Sequence, residues 1–347
     1  MKKAEDKKRT TKGILYKAII GILVVAGMLG VFVVRKLYIS RENLLMAYEK
    51  EIIPGIVCYG DSLTYGSGGE GVSYPSVLEE RLWANRIYIP VVNMGIGGEN
   101  TVTIAGRAGA IPFRVAAFDI PKEAVPVEIH FLEEEGKPIR PLYQGSTGIN
   151  PCTINGVTGS ITGEKDEQGA ITYFFTRSEA GEAVKVENGS EVETWASGQF
   201  HDYIFVVFMG ENHGWNEEID ELIRQQQAIL SMQEKHKGKY IVVGLPTGTA
   251  KERSELEAAL SEVYGDKFFN IRKYMSTEAL ADAGIKPSDE DVARMAEGMV
   301  PTSLLSDHIH FNADGYRVLG EQIYERMEEL GYFEELESAV GEYGSIF

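Results

Sequence analysis

Five short apolar runs separated by stretches of helical periodicity restrict the fold of this chain more than any other feature. The runs are Gly55 to Tyr59, Tyr88 to Asn93, Tyr203 to Met209, Tyr240 to Leu245 and Phe268 to Ile271. Each has the length of a strand and too little polar content to face water on either side. Between and after them lie amphipathic segments: Tyr74 to Ile87, Thr101 to Ala108, Asn216 to Lys235, Ser254 to Tyr264 and about Gly315 to Leu330. The last carries Val318, Leu319, Ile323, Met327 and Leu330 at helical spacing. Apolar strands alternating with helices predict an α/β fold with a parallel sheet covered on both faces.

One connection breaks the rhythm. Far more chain lies between the second and third runs than a βαβ crossover needs. There Val125 to Phe131, Ala170 to Phe175 and Ala183 to Glu187 alternate with period two, the last reaching a hairpin signal at Asn188-Gly189. Thr153 to Ile161 also reads as strand, interrupted by Gly156 and Gly159. Residues 107–200 are therefore expected to form an inserted antiparallel β-domain, a small sandwich or barrel. It either shapes substrate entry or serves packing alone. Arg107, Arg114, Tyr143, Arg177 and Trp195 are its candidate groove residues, each with a packing role as the alternative.

Four blocks carry chemistry: Gly60-Asp61-Ser62-Leu63-Thr64, Asn93-Met94-Gly95-Ile96-Gly97-Gly98, Gly210-Glu211-Asn212 and Asp307-His308-Ile309-His310. Ser62 and Asn212 each follow an apolar run, at the carboxyl end of a strand, where ligands bind in open α/β sheets. A serine hydroxyl becomes nucleophilic when a base takes its proton and a third group orients that base. The last block offers Asp307 with either His308 or His310. Read singly, Ser62 caps a turn, and Asp307 with the two histidines reads as metal ligands. The metal reading lacks a second histidine pair elsewhere.

In this order the four blocks resemble the SGNH (GDSL-type) hydrolase family, over residues 52–106 and 201–333. The resemblance implies a flavodoxin-like three-layer α/β/α fold with a five-stranded parallel sheet. It implies Ser62 as nucleophile, Asp307 as orienting acid and His310, three residues on, as base. It also implies an oxyanion hole from the backbone N–H groups of Ser62 and Gly98 and the side-chain amide of Asn212. Gly98 suits close backbone approach because it has no Cβ. No metal and no cofactor are implied. The chain departs from the family pattern at Gly210-Glu211-Asn212-His213, where an aspartate usually occupies the last position. His213 and Trp215 are candidate substrate-binding residues at the rim.

Before the hydrolase segment, the first twelve residues hold Lys2, Lys3, Lys7, Lys8, Arg9 and Lys12, and residues 14–34 are apolar except for Tyr16 and Lys17. As a helix this run would span about 30 Å, the thickness of a bilayer's hydrocarbon core. The basic flank predicts a cytoplasmic N-terminus. A cleaved signal peptide is the alternative, but the run ends without an Ala-x-Ala-like site. The expected organisation is a cytoplasmic tail (1–13), a single transmembrane helix (14–34), a linker (35–51), the hydrolase domain (52–106 and 201–333), the insert (107–200) and a C-terminal tail (334–347).

The net charge is −18; residues 1–36 contribute +7, so the remainder carries −25. Such a surface repels nucleic acid, which is excluded as a partner. Cys58 and Cys152 are too few for a disulfide framework, and a bridge between them depends on whether the fold brings them together. The expected function is a membrane-anchored, extracytoplasmic serine esterase acting through an acyl-enzyme on a small-molecule or glycan ester, with deacetylation of glycans as the leading case. An O-acyltransferase, a lipase or thioesterase, and a non-catalytic surface binding module are the alternatives.

Overall fold

In a computed structural model, which describes residues 46, 47, 49–141 and 148–336, the strands run in chain order as follows. β1 (Ile56–Gly60) and β2 (Val91–Gly95) come first, then β3 (Arg114–Val115), β4 (Phe118–Ile120), β5 (Val127–Ile129) and β6 (Phe131–Leu132). β7 (Cys152–Ile154), β8 (Val157–Lys165), β9 (Ile171–Arg177), β10 (Val184–Val186) and β11 (Ser190–Glu193) follow, and β12 (Ile204–Phe208), β13 (Tyr240–Val243) and β14 (Phe268–Phe269) close the set. The five apolar runs give β1, β2, β12, β13 and β14, all parallel, in the order β14-β13-β12-β1-β2. The chain goes from β1 to β2 on one side and returns to β12 on the other, so a topological switch point lies at the carboxyl end of β1.

The period-two geometry of a strand divides each run between two cores. Ile56 and Cys58 of β1, Ile204, Val206 and Phe208 of β12 and Ile241 and Val243 of β13 face the helices Tyr74–Ala84 and Ala313–Glu329, meeting Leu78, Leu82, Leu319 and Ile323. The alternate residues Val57, Tyr59, Phe205 and Val207 face the other way, onto Ile104 and Ala105 of helix Thr101–Ala108 and Ile229 of helix Ile219–Ser231. Val242 joins Leu256 and Leu260 of helix Ala250–Tyr264. The result is the three-layer α/β/α arrangement. Each fully buried aliphatic side chain contributes roughly 1.5–3 kcal/mol, and every residue of β1 and β12 is buried.

Residues 114–193 form the antiparallel part: a seven-stranded sheet in the order β5-β9-β8-β7-β11-β3-β6, and a two-stranded ribbon of β10 and β4. Sheet and ribbon share a core of their own, with Phe118 of the ribbon set edge-to-face on Phe175 at 6.3 Å. The hairpin expected at Asn188-Gly189 is absent, because β10 and β11 pair with different partners. The tight hairpin joins β7 to β8 through Asn155 (φ 48°) and Gly156 (φ 76°), a turn in which both central residues need positive φ.

Cys58 and Cys152 are free, buried in separate cores, so the bridge left open by the sequence does not form. Leu336, inside the stretch read as a loose tail, is fully buried with Phe333 in the core beneath the parallel sheet. The apolar run 14–34 lies outside the described residues. Among the described residues no helix is long and apolar enough to cross a membrane.

Candidate active site

β1 ends in a turn that only glycine allows. A Cβ on Gly60 would sit 2.4 Å from the Phe208 carbonyl oxygen of the neighbouring strand. The chain then enters the short helix Ser62–Tyr65, capped by Asp61, whose carboxylate accepts the Leu63 N–H at 2.9 Å. Ser62 thus occupies the first helical position at the switch point, with 8% of its surface exposed.

Its hydroxyl meets the fourth block, which is 248 residues away in sequence. His310 Nε2 lies 2.9 Å from Ser62 Oγ, and His310 Nδ1 lies 2.7 Å from Asp307 Oδ2. The other Asp307 oxygen accepts the backbone N–H groups of Ile309 and His310 at 2.8 and 2.7 Å. Burial alone would raise the Asp307 carboxyl. The hydrogen bonds from the His310 ring and the two amides outweigh it and hold the group at about 2. A charged Asp307 on Nδ1 fixes the tautomer that leaves Nε2 free to take the serine proton. Both ring nitrogens of His310 are therefore engaged, which does not fit the metal-ligand reading. His308 is exposed and makes no contact of this kind.

The second block forms a turn closed by the Glu99 N–H on the Ile96 carbonyl at 3.3 Å, with Gly98 at φ 82°. Asn93 ties this strand end to the nucleophile: its Nδ2 donates to the Thr64 carbonyl at 2.9 Å and its Oδ1 accepts the Gly95 N–H at 2.9 Å. From the third block, Asn212 Nδ2 donates to the Glu99 carbonyl at 3.0 Å. An amide nitrogen carries two hydrogens, so one remains for an oxyanion. Glu211, the residue before it, accepts from the Thr247 hydroxyl, and burial raises its pKa. The three donors named by the resemblance thus come from the ends of β1, β2 and β12, three adjacent strands.

Beneath the Gly98-Glu99 turn lies a pair that sequence reading missed. Arg107 (0% exposed) donates Nε and Nη2 to the carboxylate of Glu99 (1% exposed) at 2.6–3.1 Å, and Nη2 also to the Met94 carbonyl at 2.7 Å. Arg107 is not a groove residue. It joins the end of β2 to the turn that holds both Gly98 and the acceptor of Asn212. Nothing in the spacing of a glutamate and an arginine eight residues apart marks them as buried partners.

The remaining expectations separate. Trp215 is not at a rim: it is 4% exposed, packs with Leu222, Val242 and Leu245, and donates its indole N–H to the Gly210 carbonyl at 3.0 Å. His213 is exposed, with Nδ1 2.8 Å from Glu217, and its carbonyl accepts the Thr101 N–H at 3.1 Å. Its part in the site is played by its backbone. Arg177 donates to the carbonyls of Pro121, Glu179 and Glu182, organising turns, and Arg114 pairs with Glu191. Trp195 packs edge-to-face on Phe200 at 5.7 Å. Tyr143 lies outside the described residues. A cavity of about 170 Å³ is lined by Pro246, Thr247, Gly248, Arg294, Met299, Val300 and Leu305 and, from the loop that carries the base, by His308 and Ile309.

A comparison with protein-family models finds no match, and one with curated proteins finds none. Among solved structures, the chain is similar to AlinE4, an SGNH-hydrolase family esterase, at 16% identity and a TM-score of 0.32 over 72% of this chain and 92% of that one. It is also similar to a peptidoglycan O-acetylesterase, at 14% identity and a TM-score of 0.33 over 82% of this chain and 95% of that one. Likenesses at this level carry no weight for function, which rests on the geometry of the site itself.

Proposed function

We propose that the chain is an SGNH-type serine esterase that cleaves short-chain acyl esters, acetylated glycans foremost, through an acyl-enzyme. The observation that carries this reading is the hydrogen-bonded series Ser62–His310–Asp307, with Ser62 at the switch point. In the first step the Ser62 proton passes to His310 Nε2 while Oγ bonds to the ester carbon. The carbonyl oxygen becomes negative opposite the N–H groups of Ser62 and Gly98 and the free hydrogen of Asn212 Nδ2. Collapse breaks the bond to the alkoxy oxygen, which takes the proton from His310. Water then gives a proton to the same nitrogen as its oxygen bonds to the acyl carbon; collapse breaks the acyl–Oγ bond, Oγ takes the proton from His310, and the acid leaves with Ser62 and His310 restored.

The cavity beside His308 and Ile309, at 170 Å³, is well below the roughly 300 Å³ at which pockets begin to hold drug-sized ligands. Residues 14–34 are read as an anchor that leaves residues 37–347 outside the cytoplasm. The length of the apolar run and its basic flank support this.

The esterase reading predicts a burst of p-nitrophenol from p-nitrophenyl acetate, and labelling of Ser62 by a fluorophosphonate. Labelling elsewhere, or none, refutes it. Transfer of the acetyl group to an added sugar, with no free acetate, would instead make the protein a transferase. For the anchor, protease added to spheroplasts should digest the C-terminal domain. Full protection overturns that topology.

A further inference from the structure

All five strands of the parallel sheet point one way, so the domain has two unlike ends. The segments that leave β1, β2 and β12 (residues 61–73, 96–100 and 209–218) build the site. They hold Asp61, Glu70, Glu99, Glu211, Glu217 and Glu218 with no Lys or Arg, a balance of −6. The connections that enter β2, β12, β13 and β14 (residues 85–90, 194–203, 232–239 and 265–267) are different. They hold Arg86, Lys235, Lys237, Lys239 and Lys267 against Asp202, Glu234 and Asp266, a balance of +2. Against the −25 carried by residues 37–347, that end is basic.

These connections meet one another. The Pro90 carbonyl accepts the Ile56 N–H at 2.9 Å, the Gly55 carbonyl that of Ile204 at 3.0 Å and the Lys239 carbonyl that of Phe205 at 3.4 Å. Gln233 donates Nε2 to the carbonyls of both Tyr203 and Lys239. The same end carries apolar surface. Trp195, 38% exposed, lies edge-to-face on Phe200, and Phe200 lies edge-to-face on Tyr203 at 5.1 Å. Phe200 holds φ 64°, a conformation that bulky residues avoid. Leu230, Met232 and Tyr240 are likewise only partly buried. Exposed Lys237 lines a cavity of about 410 Å³ with Leu230 and Tyr240, and Lys267 lies 4.7 Å from the centroid of the Tyr240 ring.

Two properties say what covers this end. Aromatic rings beside lysines are the composition of a surface at the headgroup level of a bilayer, where rings pack in the interface and ammonium groups meet anionic phosphates. The chain also enters there. Ile52, the first residue of the domain, places its carbonyl 2.9 Å from Nε2 of His236 in the basic connection. Residues 35–51 separate Ile52 from the apolar run 14–34, a tether of at most about 60 Å.

We propose that the amino-end face of the parallel sheet rests on an anionic bilayer surface, with Trp195 and Phe200 at headgroup level and Lys235 and Lys237 on lipid phosphates. Ser62, at the opposite end, then opens away from the membrane, toward esters borne by a polymer or a solute. This placement rests on the anchor reading, and its test keeps the two apart. The full chain carries Trp83→Phe, so that Trp195 and the buried Trp215 are the tryptophans left. It is reconstituted into phosphatidylcholine vesicles with or without phosphatidylglycerol, each containing brominated lipid as a contact quencher.

Trp195 emission should be quenched in the anionic vesicles and much less in the neutral ones, the difference closing as salt is added. Lys235→Glu/Lys237→Glu should lower the ratio of docked to undocked domain by about tenfold or more. Its unfolding midpoint should match wild type, so that the loss is not one of folding. Equal quenching in the two vesicles, no quenching, or quenching that the double variant leaves intact overturns the docking, while flotation that survives high salt still upholds the anchor. Flotation that salt abolishes overturns the anchor, while salt-sensitive quenching upholds the docking. Self-association in detergent that Trp195→Ala dissolves, without quenching in vesicles, overturns the proposal in favour of a second copy of the chain.

Discussion

Two aspartates flank the Ser62–His310 pair, and the fold treats them in opposite ways. Asp61, one residue before the nucleophile, is 1% exposed. Burial pushes its carboxyl up to about 7, the Leu63 amide working against that shift and the nearby charges of Glu211 and Glu99 adding to it. Asp307, on the loop that carries the base, keeps 46% of its side chain exposed and is held at about 2 by its hydrogen bonds. The acid that has to stay charged to support an imidazolium is thus kept near water. The acid that precedes the nucleophile is kept in a dry place, where burial brings its neutral form within reach of pH 7. The floor of the site is fixed by the packed ends of three parallel strands, whereas its base is presented from a surface loop.

The largest effect should come from the pair that joins floor to loop. Ser62→Ala and His310→Ala should each cost on the order of 10⁴-fold in kcat or more, and the double variant no more than either alone, because the two act as a unit. Additive losses would mean that the loop and the floor work separately. Next, Arg107→Met leaves Glu99 charged and buried, which should destabilise the protein by about 3–5 kcal/mol in urea unfolding. Glu99→Met/Arg107→Met should recover most of that stability while kcat stays low, since the Gly98-Glu99 turn has lost its anchor. Full recovery of kcat would show that the floor does not depend on the pair.

Asn212→Ala removes a donor used mainly in the transition state. A loss of about 10²- to 10³-fold in kcat with little change in KM is expected. The comparison is sharpest when one substitution is made on both aspartates. Asp307→Asn should lower kcat by about 10²-fold, less than loss of the base because water reaches this loop. Asp61→Asn should leave kcat within a few-fold, since asparagine caps a helix start as well as aspartate does.

Their stability profiles should also part. The folded pKa of Asp61 lies above the ordinary carboxylate value, so the native state holds that proton more tightly. Its contribution is full below about 4 and is lost as pH rises to about 7. Asp307 has the opposite sign: its contribution is present above about 4 and fades as pH falls toward 2. Asp61→Asn should therefore flatten the loss of unfolding free energy between about pH 4 and 7. If its profile matches wild type there, Asp61 is not the group that titrates.

The same contrast between buried and exposed surroundings explains which parts could be read from sequence. β1 and β12 are covered on both faces, so their apolar runs stood out and their ends fell within one residue of those expected. Several antiparallel strands are short, β3 and β6 having two residues each, and β3 pairs with β11, far along the chain. Local signals misled there: Asn188-Gly189 looked like the hairpin turn, while Asn155-Gly156 made it. In the site, Ser62, Gly98, Asn212, Asp307 and His310 sit in short blocks whose residue types the chemistry dictates. The Glu99–Arg107 pair was invisible because two charged residues in sequence read as solvated until burial is known. Trp215 was misplaced for the converse reason, its position beside Asn212 suggesting a rim when its ring fills the core.

The 248 residues between Ser62 and His310 have a bearing on when the protein first becomes reactive. Synthesis proceeds from the N-terminus at roughly 5–20 residues per second, so the serine and its turn emerge well before the loop that deprotonates it. Asn212 arrives between the two, 113 residues after the carbonyl it must find. Throughout that interval the nascent chain carries an ordinary alcohol, without a base or a complete oxyanion hole. On the proposed reading, reactivity waits for the loop before helix Ala313–Glu329, near the C-terminal end of the chain, so a chain interrupted before that loop should be inert toward esters.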